Sequence, residues 1–403
     1  MSDATPPPST ETTSPKAPTV LALASEIKGL PFLETAKQAG CHVILVTNDR
    51  LKEEAWCWHA IDEQFTMEDI RRQPDITHGV SYLARSREID RIVALDDYDV
   101  ETAAALREHL RLAGLGDSAA RLFRDKLAMR VRAKQAGIKV PGFVGCFNDG
   151  AINHFLDTTP APWLIKPRTL AGSEGIRKFY QAGEVWDALH GLGDERSNHL
   201  LEQFIPGNVF HVDALTWRGE LQFALASNYG VPPMTALQGR GVFTTRVLPQ
   251  DGEQAATLLN LNKQLLSVMG YPRGPSHSEF ILAEDGTWYF LETAARVAGG
   301  NIDKLIEAAT GVVMWQEAAR LEVADFQHQP YSLPTVRDGY AGLIAVPSKT
   351  PFADTSPYDT PEVVIRLSNQ EFMTLVVKAD SFNEVERLLA HYAERLSREV
   401  MPQ

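Results

Sequence analysis

Two apolar runs separated by Ala283-Glu-Asp-Gly-Thr constrain this chain more than any other feature. His277-Ser-Glu-Phe-Ile-Leu reads as a strand and Trp288-Tyr-Phe-Leu-Glu-Thr as its return. Asp285-Gly286 between them is a hairpin signal, because both central residues of a type I′ turn need positive φ. A two-residue turn there sets Glu279 opposite Glu292 on one face. Two carboxylates so placed repel. A divalent cation among oxygen ligands is the expected compensation, and Mg²⁺ or Mn²⁺ suits such a hard site. A solvent-facing hairpin that never meets a metal is the alternative, and the hairpin alone does not decide between them.

The rest of the chain supplies the setting. Val20–Ala24, His42–Thr47 and Ile89–Leu95 are short apolar runs alternating with helical stretches at 31–39 and 100–112. That alternation predicts a parallel α/β sheet covered on both faces. The loop after the first strand, Ser25-Glu-Ile-Lys-Gly29, lacks G-x-G-x-x-G, which argues against a Rossmann dehydrogenase. Asp96 and Asp97 follow a strand, where they read as helix caps or as ligand groups. A helix is expected over 121–135, strands at 162–166, 177–180 and 199–204, and a helix near 184–189. Antiparallel strands follow at 211–216 and 221–227. Residues 228–246, with Gly230, Pro232, Pro233, Gly239 and Gly241, read as a mobile loop. Helices at 253–269 and 302–319 flank the hairpin, and 340–346, 371–377 and 382–396 form a β-plus-helix section.

At 403 residues, two or three domains are expected. A net charge of −13 argues against nucleic-acid or anionic-membrane partners. Cys41, Cys57 and Cys146 have no metal-type spacing, and the eleven histidines show no HxxxH pattern, so zinc has no support. Residues 1–18 are rich in Pro, Ser and Thr and read as a disordered tail without a secretory signal. No apolar run approaches the roughly 20 residues needed to span a bilayer. A soluble, cytoplasmic protein is expected.

Lys166 ends the apolar strand Trp163-Leu-Ile-Lys-Pro, where a lysine needs an anionic partner. Gly172-Ser173-Glu174-Gly175 follows, and glycines there let backbone N–H groups approach phosphate oxygens. An ordinary hairpin loop is the alternative, and the sequence is no Walker A motif. Lys126 heads a helix, where a surface lysine is the default. Glu202-Gln203-Phe204-Ile-Pro-Gly207 suggests a strand whose exit offers backbone groups to a planar base, or simply a strand ending in a turn.

The order and spacing of these pieces resemble the ATP-grasp superfamily over roughly residues 19–320. Asp125-Lys126-Leu-Ala-Met with Ala136-Gly-Ile-Lys-Val-Pro-Gly142 is similar to the family's entry into its small ATP-binding lobe. Lys166 with Gly172, Ser173 and Gly175 resembles the second lysine and phosphate loop. Glu202, Gln203 and Phe204 resemble the adenine hinge, with Ile281 also at the nucleotide. Glu279 and Glu292 resemble the magnesium carboxylates, and Arg296 the catalytic arginine. The resemblance implies an α/β and α+β protein: a pre-ATP-grasp domain at 19–115, a small lobe at 116–195, a large lobe at 196–330 and a C-terminal lobe at 331–403. It implies a carboxylate–amine ligase of the kind that includes bacilysin-type L-amino-acid ligases, using ATP and Mg²⁺ on small acid and amine substrates, and a homodimer. Bicarbonate activation of the biotin-carboxylase type and a non-catalytic ATP sensor are the alternatives. Two positions depart from the pattern. Ala294 replaces an asparagine near the second metal carboxylate, and Val209 replaces a ribose-binding glutamate, for which His211 is the expected substitute.

Overall fold

The computed structural model describes residues 18–238 and 241–402. The expected tail therefore lies almost wholly outside the described residues. Thr19–Ala24 (β1), His42–Asn48 (β2), Glu63–Met67 (β3) and Arg91–Ala94 (β4) form a parallel sheet in the order β3-β2-β1-β4. Alternate residues explain why both faces are buried. Val20, Ala22, Val43 and Leu45 pack with Phe32 and Leu33 of helix Leu30–Gln38. Leu21, Leu23, Ile44 and Val46 pack with Ile76 and Val80 of helix Asp75–Leu83 and Ala103 and Leu106 of helix Val100–Leu110. β3, with its mixed Glu-Gln-Phe-Thr-Met sequence, lacks the apolar run that marks the other strands.

Phe143–Gly145 (β5), Trp163–Pro167 (β6), Arg177–Phe179 (β7) and His199–Gln203 (β8) form an antiparallel sheet in the order β5-β8-β6-β7. β8 thus belongs to the small sheet, beyond the boundary expected at 195/196. Gly207–Trp217 (β9), Glu220–Tyr229 (β10), Phe243–Val247 (β11), Gly274–Ala283 (β12), Trp288–Ala294 (β13), Tyr340–Pro347 (β14), Val363–Ser368 (β15) and Phe372–Ala379 (β16) build the large antiparallel sheet. Its order is β13-β12-β9-β10-β11-β14-β16-β15. The boundary expected at 330/331 runs through this continuous sheet, because β14 pairs with β11. The C-terminal section keeps its own core, where helix Phe382–Glu399 sets Val385, Leu389 and Tyr392 against Ile344 and Leu375.

Three expected elements differ locally. The ends of 228–246 are strands, with Asn228 paired to Arg246 and Tyr229 to Thr245, and Pro233–Gln238 is helical. The helix expected over 302–319 is two, Ile302–Thr310 and Met314–Phe326, separated at Gly311, whose φ is +79°. The helix expected from Arg121 begins at Lys126, because Asp125 caps the N–H groups of Leu127 and Ala128. Helix Leu30–Gln38 packs on helix Met314–Phe326, so the parallel sheet shares a core with the large sheet. No helix among the described residues is long and apolar enough to cross a membrane.

Candidate active site

The hairpin β12–β13 does not turn as the sequence suggests. Ala283 N–H donates to Thr287 O at 2.9 Å and Gly286 N–H to Ala283 O at 3.0 Å, with Gly286 at φ +80°. The loop is therefore Glu284-Asp285-Gly286, three residues with Gly in the left-handed position. Phe280 faces Phe290, and Leu291 is then the extra residue of a bulge that restores Glu279 opposite Glu292. The expected pairing is present by a different route.

Both carboxylates line a cleft of about 940 Å³ between the small and large sheets. Lys126, Lys166, Ser173, Glu202, Gln203, Phe204 and Ile281 line it too. Two residues along β12 from Glu279, the wall becomes apolar at Ile281 and its β9 partner Val209. Leu164, Ile205 and Met234 extend that apolar part.

The charges are already matched by protein groups. Lys126 Nζ lies 3.0 Å from Glu292 Oε2 and donates to Leu170 O at 2.6 Å. Depth in the protein pushes the Glu292 carboxyl up, but Lys126, Lys166 and Arg130 hold it below the usual carboxylate range. About a third of the Glu292 side chain stays open to the cleft. Lys166 pairs with the fully buried Glu202, whose other oxygen takes Arg130 Nε at 2.7 Å. Arg130 also donates to the carbonyl of Leu291, joining the small-sheet strand β8 to the hairpin. Lys126 on one side and donors on the other offset part of the repulsion that the hairpin alone implies. The opposed carboxylates are a hard oxygen donor set, and they suit Mg²⁺ or Mn²⁺.

Glu279 is held differently. Tyr229 Oη donates to its Oε1 at 2.8 Å, and His277 Nε2 lies 3.5 Å from the same oxygen. His277 Nδ1 is 2.9 Å from Asp213, whose second oxygen is 2.7 Å from His211 Nδ1. Burial lowers the proton affinity of His277, but Asp213 and Glu279 more than reverse this, to a pKa of about 9. Burial pushes the Asp213 carboxyl up, and His277 and His211 hold it below the ordinary range. Burial and Glu279 push the Tyr229 hydroxyl well above its usual value, so it is a standing donor.

Four expected site residues do not line the cleft. His211 is buried, with its ring nitrogens on Asp213 and on Thr245 Oγ1 at 2.7 Å, so it offers nothing to a ribose. Gly172 and Gly175, at φ +64° and +70°, shape the loop between β6 and β7 rather than its cleft wall. Arg296 borders a second cavity of about 700 Å³, between the parallel sheet and the large sheet, with Arg107, Arg273 and Glu322. Its Nε lies 3.5 Å from Asp97, and Asp97 also takes Arg124 Nη1 at 2.6 Å. In the hinge, Gln203 and Phe204 N–H donate to Gly142 and Pro162 carbonyls, and the Glu202 carboxylate serves Lys166 and Arg130 rather than a base.

Arg130, Tyr229, Asp213 and His277 were not singled out from the sequence. Helical spacing places Arg130 one turn after Lys126, and strand alternation places His277 beside Glu279 and Asp213 beside His211. Tyr229 lay in a stretch read as loop.

Residues 33–114 match the ATP-grasp N-terminal domain family. An L-arginine-specific L-amino acid ligase of Bacillus subtilis is 25% identical over 300 residues, 72% of this chain and 71% of the relative. The crystal structure of an L-amino acid ligase from Bacillus licheniformis superposes with a TM-score of 0.77 at 19% identity, covering 96% of this chain and all of that one. The biotin carboxylase domain dimer of Hydrogenobacter thermophilus 2-oxoglutarate carboxylase, solved with MgADP, ADP and bicarbonate, gives 0.69 at 17% identity, over 93% of this chain and 89% of that one. The mixed α/β architecture, with its parallel N-terminal sheet and large antiparallel sheet, is shared with these structures. The chain thus carries an ATP-grasp N-terminal domain at 33–114 and is similar over most of its length to ligases with the ATP-grasp fold.

Proposed function

We propose that this enzyme activates the carboxylate of an amino acid or small acid with ATP and joins it to an amine, releasing ADP and phosphate. One observation carries this reading: two lysines and two opposed glutamates line the same cleft as an apolar wall, a match to a nucleotide with a charged tail and a flat base. The ligase relatives support the carbon–nitrogen bond.

Lys126 and Lys166 would turn from Glu292 and Glu202 toward phosphate oxygens, exchanging one charge-assisted contact for another. A divalent cation held by Glu279 and Glu292 would supply neutralisation of the phosphate charge. A carboxylate oxygen of the acid attacks the γ-phosphorus, the bond to the β,γ-bridging oxygen breaks, and ADP leaves. The amine nitrogen then attacks the acyl carbon, phosphate departs, and the ammonium proton is lost. Arg296, outside the cleft against Asp97 yet within electrostatic reach of Glu292, would turn toward the transferred group to stabilise the charge that develops in these steps. Its guanidinium is kept charged by Asp97, Asp96 and Glu292 despite its burial. The 172–175 loop closes over the reacting groups and excludes water. The enzyme would act in the cytoplasm, a reading three buried free cysteines support, and would pair as a homodimer, as the biotin carboxylase domain neighbour does.

Phosphate release from ATP, screened across pooled amino acids with and without hydroxylamine, tests the reading. Hydroxamate formation identifies the activated acid. Turnover that depends on bicarbonate alone, with no hydroxamate from any acid, would replace this function with the biotin-carboxylase type.

A further inference from the structure

The face of the large sheet that carries Glu279 and Glu292 also holds an apolar core, with Val209, Leu215, Leu225, Val247 and Ile281. Across four adjacent strands of this face runs a polar row: Glu279 and His277 on β12, His211 and Asp213 on β9, Tyr229 on β10 and Thr245 on β11. Apolar residues of similar size would serve stability at least as well, because desolvating such groups costs more than their pairing returns. The row is continuous. Thr245 Oγ1 bonds His211, His211 bonds Asp213, Asp213 bonds His277, and His277 and Tyr229 both face Glu279 Oε1.

His211, Asp213 and His277 are close enough together to hold an ion of their own. Both imidazole Nδ1 atoms, however, face Asp213 oxygens at 2.7 and 2.9 Å, hydrogen-bond distances that use up both carboxylate oxygens. The cluster is a hydrogen-bonded brace. Its contact with the nucleotide cleft, among the described residues, is Glu279, and Tyr229 and His277 both reach the same oxygen there.

We propose that Tyr229 and His277 are positioning residues that hold Oε1 of Glu279 and thereby present its other oxygen to a divalent cation in the nucleotide cleft. The proposal rests on the reading of Glu279 as a metal carboxylate. Partners behind a metal ligand typically set its affinity tenfold to a hundredfold. Tyr229→Phe deletes one hydroxyl and keeps the ring that packs on His211 and Phe243.

The test measures Mn²⁺ binding by electron paramagnetic resonance in the full-length protein saturated with ADP. Wild type, Tyr229→Phe, His277→Gln and Glu279→Gln are compared, with metal-free ADP affinity and melting temperature for each. Tyr229→Phe should weaken Mn²⁺ binding about tenfold with metal-free ADP affinity unchanged, and His277→Gln should act in the same direction. If Glu279→Gln loses Mn²⁺ while the other two bind it as wild type does, the positioning role is overturned and the metal assignment stands. If Glu279→Gln binds Mn²⁺ normally, the metal assignment itself fails and the positioning role with it. A loss of metal-free ADP affinity equal to the Mn²⁺ loss would mean a general collapse of the cleft and also overturn the role. Should one positioning variant fail to fold, the other decides by the same criteria.

Discussion

The end of β4 and the edge hairpin of the large sheet both gather carboxylates inside the protein, and they treat them in opposite ways. Asp96, Asp97 and Asp99 are buried and spent internally. Asp96 caps Tyr98 N–H and pairs with Lys28, so it is both a cap and a charge partner. Asp97 binds Arg124 and Arg296, and Arg124 reaches the carbonyl of Thr169 before the 172–175 loop, which ties the parallel sheet to the cleft. Asp99 has the backbone N–H of Ser25 at 2.8 Å and no cation within ion-pair reach among the described residues. Glu279 and Glu292 are each supported from behind and open in front. Buried charge that is closed off from solvent makes a joint. Buried charge with one side left accessible makes a site.

The largest break in that comparison comes from the open pair. Glu279→Gln and Glu292→Gln should each lower ATP turnover by on the order of 10³-fold or more, the several kcal/mol that a cation contributes to phosphoryl transfer. Phosphate release measures it, and a wild-type rate in either variant removes the metal assignment. Their stabilities should diverge. Glu292→Gln leaves Lys126 without its 3.0 Å partner and should lower the melting temperature, whereas Glu279→Gln still accepts from Tyr229 and should hold it.

Arg296 bridges the two regions, since it pairs with Asp97 yet follows Glu292 by four residues. Arg296→Lys should lower kcat by about 10²-fold with little change in ATP affinity, because an ammonium lacks the planar fork. If a rise in nucleotide Kd accounts for the whole loss, Arg296 is a joint like Arg124. Lys166→Met and Lys126→Met should weaken binding of a non-hydrolysable ATP analogue roughly 10- to 100-fold, the value of a hydrogen bond between charged groups. Calorimetry reads this directly, and unchanged affinity in both variants places the phosphates elsewhere.

The smallest effect tests the closed cluster. Burial raises Asp99 to a pKa of about 6. Because the folded state holds that proton more tightly than the unfolded chain, stability from this group is present below about pH 4 and lost as pH rises through 6. Asp99→Asn keeps an acceptor for Ser25 N–H and should stabilise the protein at pH 7 by at most about 3 kcal/mol, with no gain below pH 4. Denaturant unfolding at the two pH values checks it, and an equal effect at both would rule out the titration.

Much of this molecule was legible in short stretches of its sequence. The apolar period of β1, β2 and β4 predicts a sheet buried on both faces, and the lysine ending β6 announces an anion nearby. The hairpin is a more instructive case. Asp285-Gly286 marks the turn, but the three-residue loop and the bulge at Leu291 that offset each other lie beyond what turn residues specify. β3 was missed because only alternate positions are apolar, and β15 because it is a short edge strand with a bulge of its own.

What the sequence by itself determined is the local chemistry: which segments become strands, where the chain turns, and which charged residues end up on apolar strands. Those properties rest on φ preferences and on period-2 burial, both readable within a few residues. Only the tertiary structure decided who neutralises whom. Lys166 meets Glu202 across 36 residues, Tyr229 meets Glu279 across 50, and Arg130 meets the Leu291 carbonyl across 161. A buried charge must find a partner, but no local rule says which one, because the choice depends on strands brought together by the whole sheet order.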